Sequence, residues 1–259
     1  SERVADEWRD IASQKLSKVN LSEGTRRMRE EVCGVSVFVN KYDGVDLPHN
    51  ACRILVIHDL PEALSLVERV DSAALDETAV TLRNQIHRIE QGMGRGVRAN
   101  DGYCVVLLLG EALSRRLHTG GAREYFGAAT RAQLELSDEV AVQLKGGGID
   151  ELELVIEQSL GRNPDWVDAS RRALLDVAPP STEAVDEVAV ALREAFNSAQ
   201  NGNYPEAASI LQEKVNQVSD ERYKAWLKVR LAEFYNFFDP AKAQAILGAA
   251  FSQNKQLTR

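Results

Sequence analysis

Three kinds of feature are scarce in this chain of 259 residues, and each scarcity removes a class of protein. Cysteine is rare: Cys33, Cys52 and Cys104 stand far apart and form no CxxC pair. That spacing argues against a disulfide framework, a zinc site or an iron–sulfur cluster. It suits a reducing cytoplasm, and the apolar surroundings of all three predict buried free thiols. Long apolar runs are missing as well. The longest, residues 104–109, is strand-sized, whereas a bilayer crossing needs about 18–20 residues, so no membrane partner is expected. Histidine is the third scarcity. The four in the chain form no pair with metal-ligand spacing, and no motif supports Ser/His/Asp or Cys/His catalysis. His58, after an apolar run, reads as a hydrogen-bonded structural residue; His49 and His87 carry no motif. The first ten residues put charges ahead of any apolar stretch and begin with Ser1. They lack the shape of a signal peptide and read as mid-sequence, as in a piece of a longer protein.

The net charge of −8 argues superficially against nucleic acid, but it is unevenly spread. Residues 1–120 carry 16 basic and 18 acidic side chains, leaving 15 and 21 for residues 121–259. The acidity therefore lies mostly in the second half. A local basic patch and backbone contacts can still hold DNA in the first half.

Up to about residue 120 the pattern alternates. Val4, Trp8, Ile11 and Leu16 predict a helix over 3–16, and Ser22 opens a second over 22–31. Residues 35–40, 52–61 and 103–110 are continuous apolar runs, as expected of strands covered on both faces of a parallel sheet. A single long helix is predicted over 72–93, with Leu82, Ile86, Ile89 and Met93 on one face. Strand–helix–strand order means an α/β fold. After residue 120 strand signals stop. Helices are predicted near 128–145, 149–160, 164–177, 182–200, 205–218, 221–236 and 239–251, punctuated by Gly and Pro. Pro179-Pro180 is the best linker candidate, which divides the chain into 1–120, a helical extension over 121–180 and a helical domain over 181–259. In that last part, residues 202–211 align with 237–247: Pro205 with Pro240, Ala207 with Ala243, Leu211 with Leu247. The offset of 35 or 36 resembles tetratricopeptide-like hairpins, whose period is about 34. An ordinary antiparallel bundle is the alternative.

The segment richest in chemistry is Gln91-Gly92-Met93-Gly94-Arg95-Gly96-Val97-Arg98, of the form QxxGRxxR. It falls between a predicted helix and a predicted strand. Gly94 and Gly96 would let the backbone turn sharply, so that Arg95 and Arg98 project from one side. Arginine cannot lose its charge and binds oxyanions bidentately, so two such forks suit a phosphate. A helix C-terminus with favourable cations and Gly caps explains the same residues without function.

The surroundings of that segment add a resemblance. Residues 37–61, with Tyr42-Asp43-Gly44-Val45-Asp46, resemble motif V of superfamily 2 helicases of the XPD/DinG group. Residues 85–110 resemble motif VI of the same group, including Asp101-Gly102, and residues 1–8 resemble the sequence just after motif IV. The likeness covers about residues 1–110 and implies part of the second RecA-like lobe, an α/β sheet, followed by an all-α region. It implies that Gln91, Gly94, Arg95 and Arg98 face ATP bound between two lobes, with one arginine as finger on the γ-phosphate. It implies that Gly44 and Asp46 belong to the ATP site, Asp46 bonding a motif VI arginine or the ribose. Lys41 and Tyr42 become candidates for contact with DNA, expected to be single-stranded; a solvated lysine is the plainer alternative. The chain has neither a Walker A pattern nor a DEAH-like box. Mg²⁺ and the attacking water would therefore belong to the first lobe. The Asp-x-Arg often found after the motif VI strand is replaced by Gly110-Glu111-Ala112. Two rival expectations remain: a docking platform for a protein partner on residues 121–259, and a duplex translocase of a DNA-defence system.

Overall fold

The structure, a computed structural model, describes residues 2–42, 44–47, 49–61, 65–96, 103–175, 177 and 186–258. The fold is mixed α/β and mostly helical, with two short parallel sheets of two strands each. In chain order the first elements are α1 (Glu2–Glu7), β1 (Ala12–Leu16), α2 (Leu21–Glu30), β2 (Val35–Phe38) and β3 (Ile54–His58). Then come α3 (Leu66–Ala74), α4 (Ala79–Met93), β4 (Val105–Leu109) and α5 (Glu111–Leu117). The rest is helical: α6 (Ala128–Gln143), α7 (Ile149–Leu160), α8 (Pro164–Leu175), α9 (Glu187–Gln200), α10 (Tyr204–Gln217), α11 (Glu221–Tyr235) and α12 (Pro240–Gln253). The chain divides into two compact units, residues 1–62 with 83–180, and 63–82 with 181–259.

Two expectations about the first ninety residues are corrected. The predicted helix over 3–16 stops at Glu7, and residues 12–16 form a strand instead. Pairing decides this segment. β1 lies parallel to β2, Gln14 Nε2 donates to Ser36 Oγ at 2.8 Å, and burial alternates along the strand. Leu16 ends it fully buried over Gly24 of α2, where a Cβ would stand 2.2 Å from Leu16 Cδ2. Helical spacing of four apolar residues was a weaker constraint than that partner strand.

The predicted helix over 72–93 is two helices. The capping box of Ser65 and Glu68 starts α3, a signal that lies upstream of the predicted start. The break falls at Leu75–Thr78, with Glu77 in the left-handed region at φ 62°. Buried Thr78 donates its hydroxyl to Leu75 O at 2.6 Å and accepts from Thr81 N at 3.3 Å, capping α4. Six of the seven helices expected after residue 120 lie within two residues of their expected bounds. The helix expected over 182–200 is described only from Glu187, where Asp186 is the cap; the start expected at 182 lies outside the described residues. Before residue 120, α5 is an addition.

In the first unit β3 and β4 pair parallel and in register, Ile54 opposite Val105 through His58 opposite Leu109. The loop after β2 buries Val45, Leu47, Ala51 and Cys52 against Met28, Phe38 and Leu55. Helices α6, α7 and α8 bury no side chain fully. In the second unit α9–α10 and α11–α12 are helix pairs joined by short turns, with α10 packed on α11. Ala195, Ala207, Leu211, Leu227, Leu231 and Ala243 form its core. The sequence repeat maps onto the first turns of α10 and α12. Asn203 and Asp239 cap them, Pro205 and Pro240 occupy the first turn, and Ala207 and Ala243 are buried at equivalent positions.

Candidate functional site

The end of α4 and the loop after β2 are knitted together by one side chain. Arg95 Nε donates to Tyr42 O at 2.8 Å, and its Nη1 donates to Val45 O at 3.3 Å. The same Nη1 lies 3.9 Å from Asp46 Oδ1, and Leu47 N donates to Arg95 O at 3.3 Å. Arg29 of α2 adds a bond to Asp46 O at 2.9 Å. These bonds satisfy carbonyls of an irregular loop that has no ladder of its own. The Arg95 side chain is only 15% exposed. The segments 42–47 and 91–96, far apart in sequence, thus form one cluster.

The glycines serve this packing differently from the expectation. Neither Gly94 nor Gly96 has a positive φ, so a sharp left-handed turn is not their reason. A Cβ at Gly94 would meet nothing closer than 3.6 Å. At Gly96 it would lie 2.6 Å from Cys104 Sγ, so that position requires close approach to the start of β4. Gly92, not singled out from the sequence, is buried under the Tyr42 ring, with 2.8 Å left for a Cβ. Gly44 is the residue that needs glycine for its backbone, with φ 70° in open space.

The other candidates sit as follows. Asp46 is exposed, beside Arg95. Gln91 and Gly94 are exposed at the end of α4, while Lys41 and Tyr42 are half-buried. Arg98, with Asp43, Asp101 and Gly102, lies outside the described residues. Arg29 and Gly92 were missed from the sequence. Arg29 gives no local signal, since its partner is a backbone oxygen 17 residues away. Gly92 could have been found as the first glycine of a GxGxG run.

Electrostatics near this cluster are modest. Cys52 and Cys104 bring their sulfurs to 3.9 Å, and only Cys52 is buried; Cys33 and Cys104 are half-buried, which corrects the expectation for those two. The hydrogen bond with Cys52 and burial together push the Cys104 thiol up, leaving it protonated. His58 accepts from Trp8 Nε1 at 2.9 Å through Nδ1, with Glu7 3.8 Å from its Nε2. Its ring is thus hydrogen-bonded to Trp8 just after α1, as expected of it. Among the described residues no three His, Cys, Asp or Glu side chains group as a metal site. No described helix is long and apolar enough to cross a membrane.

No family model, curated protein or solved structure matches this chain. An exposed loop with Gly44 and Asp46, an arginine behind it, and Lys41 and Gln91 nearby can present hydrogen-bond donors and two cations to an anionic ligand. Because Arg95 already ties the loop to α4, a group that draws on Arg95 or Asp46 would be felt along residues 42–47.

Proposed function

We propose that this chain is part of a superfamily 2 helicase or translocase motor, supplying motifs V and VI to an ATP site that a partner lobe completes. The observation that supports the reading is the Arg95 bond set, because it joins the two segments that carry the resemblance. Bound ATP would supply the phosphoanhydride whose hydrolysis drives the cycle. Gln91, Arg95 and Arg98 would face its phosphates, and Asp46 would hold Arg95 or the ribose. Mg²⁺ and the attacking water fall to the lobe with the Walker A pattern. Lys41 and Tyr42 lead directly into the loop that Arg95 holds, so a DNA backbone held there would sense the state of Arg95. A RecA-like sheet and single-stranded DNA as the track belong to the same reading.

The test is ATP hydrolysis with and without single-stranded DNA. The 259 residues alone are expected to show no turnover, since they contain no Walker A pattern. Joined to a Walker A lobe of their own protein, they are expected to hydrolyse ATP faster with DNA. Arg95→Lys should then lose most of that rate while the protein stays folded, because an ammonium cannot replace the fork. Turnover by the 259 residues alone, or full DNA-stimulated activity in Arg95→Lys, would sink the motor reading.

A second reading has its own observation. Phe196 and Phe237 are 46% and 64% exposed on the helical unit, and Tyr204 stacks on Phe237 at 4.1 Å. Exposed aromatics on repeated hairpins suit a docking platform for a protein partner.

A further inference from the structure

Cys52 and Cys104 stand 52 residues apart in the chain, yet the fold brings their sulfurs to 3.9 Å. Cys52 lies two residues ahead of β3 and Cys104 one residue ahead of β4. The ladder starts just after them, where Val105 N donates to Arg53 O at 2.9 Å and Ile54 stands opposite Val105. Strand pairing therefore sets the separation of the two cysteines, while neither belongs to the paired residues. Both are free thiols. A disulfide needs its sulfurs about 2.05 Å apart, and rotation about each Cα–Cβ bond can share the remaining approach.

The surroundings give the pair something to react with and something to act on. Cys52 is among the residues lining a cavity of 880 Å³, so a small solute there meets it. Cys104 Sγ lies against Gly96, where a Cβ would stand 2.6 Å from the sulfur. Gly96 directly follows Arg95, whose carbonyl accepts from Leu47 N at 3.3 Å. Cys52 in turn is buried with Val45 and Leu47 of the loop after β2. The two sulfurs thus back the two segments that Arg95 joins.

We propose that Cys52 and Cys104 are a reversible dithiol–disulfide pair, oxidised by a peroxide, whose closure fastens the loop over 42–52 to the turn that carries Arg95. The pair needs no ATP site, so it stands apart from the motor reading. A hydrogen bond from Cys104 lowers the Cys52 thiol and favours its thiolate, while Cys104 keeps its proton. The thiolate is the nucleophile, so Cys52 attacks first. Its sulfur bonds one oxygen of hydrogen peroxide, the O–O bond breaks, and hydroxide leaves as water with the proton that Cys52 lost. Cys52 is then a sulfenic acid, which a second thiol converts to a disulfide. Once Cys52 is oxidised, its thiolate no longer holds the Cys104 proton, and Arg53 and the Leu55 backbone favour the Cys104 thiolate. The Cys104 sulfur attacks the Cys52 sulfur, the S–O bond breaks, and the oxygen leaves as water with the Cys104 proton. Two thiols and one peroxide give one disulfide and two waters. The sulfurs lose two electrons and the peroxide gains them.

The test treats the reduced 259-residue chain with a small excess of hydrogen peroxide, followed by thiol counting and peptide mapping. Free thiols should fall from three to one, with a mass loss of about 2 Da and full recovery in dithiothreitol. The linked peptides should carry Cys52 and Cys104, and Cys33→Ser should form the same link. In Cys104→Ser, dimedone should trap a sulfenic acid at Cys52; in Cys52→Ser it should trap none at Cys104. Hydrogen exchange at the Leu47 amide should slow by about tenfold or more in the oxidised chain. A link that includes Cys33, a link between two chains, or three free thiols after peroxide would overturn the pair. Trapping at Cys104 instead of Cys52 would overturn the order of attack. Unchanged exchange at Leu47 would overturn the fastening of the Arg95 turn.

Discussion

The two units reach closure by different means. In the helical unit, Ala195, Ala207, Leu211, Leu227 and Ala225 have no exposed surface, and small residues let consecutive helices approach closely. Each helix satisfies its own backbone internally, and Asp186, Asn203, Asp220 and Asp239 cap the N-termini. Its contacts are mostly between helices adjacent in sequence. The α/β unit relies on strands, whose hydrogen bonds need neighbours on both sides. There β2 and β3 remain half-buried beside a cavity, and α6 to α8 leave Val142, Ile149 and Leu175 at least 70% exposed. Local closure suits helical hairpins; a two-stranded sheet leaves more of its backbone to be covered by other elements.

That contrast is broken most forcefully by a cavity in the closed core. Leu227→Ala removes a fully buried side chain and should destabilise the helical unit by about 2–5 kcal/mol. Val37→Ala in half-buried β2 should cost only about 1 kcal/mol, since little of its surface leaves water. Urea unfolding of both variants measures the difference, and equal losses would erase the comparison.

A smaller effect probes how α3 joins the helical unit. Asp71 accepts from Trp226 Nε1 at 2.7 Å and from Arg230 Nη2 at 3.0 and 3.1 Å. Asn254 Nδ2 also donates to Ala74 O at 2.6 Å. Asp71→Ala leaves two partly buried donors without their carboxylate and should destabilise by about 1–3 kcal/mol. Faster hydrogen exchange in α3, with α9 and α10 unchanged, is the expected pattern.

The smallest effect lies in the open unit. Arg123 donates to both carboxylate oxygens of Asp138 and holds that carboxyl below its ordinary value of 3.8. Because the folded value is the lower one, the stabilisation is present above about pH 4 and fades as pH falls through the folded value. Both side chains are more than a third exposed, so the gain should stay below about 1 kcal/mol. Comparing Asp138→Asn with the unmodified chain at pH 7 and pH 3 checks it. A difference that grows at low pH would contradict the sign.

The candidate site was partly legible in advance. The resemblance implied that Asp46 bonds either an arginine of the QxxGRxxR segment or a ribose, and Asp46 Oδ1 lies 3.9 Å from Arg95 Nη1. The carbonyl bonds from Arg95 to Tyr42 and Val45 were not legible, since a backbone acceptor leaves no mark in side-chain identity. Gly94 and Gly96 have the spacing of turn formers, yet Gly96 is required by the nearness of Cys104. A glycine in a sequence does not distinguish a positive φ from a close neighbour.

Most helices after residue 120, their Gly and Pro breaks, and the apolar runs of β2, β3 and β4 were legible in the residues alone. Those depend on local propensity, capping chemistry and hydrophobic period, which act over a few residues. Tertiary structure alone decided that residues 12–16 pair as a strand, that Thr78 divides two helices, and that Arg95 closes on the loop after β2. It alone decided that β2 and β3, unpaired with each other, both line one cavity. Each of these rests on partners distant in the chain or on backbone groups, and neither distance nor backbone is written in the side-chain sequence.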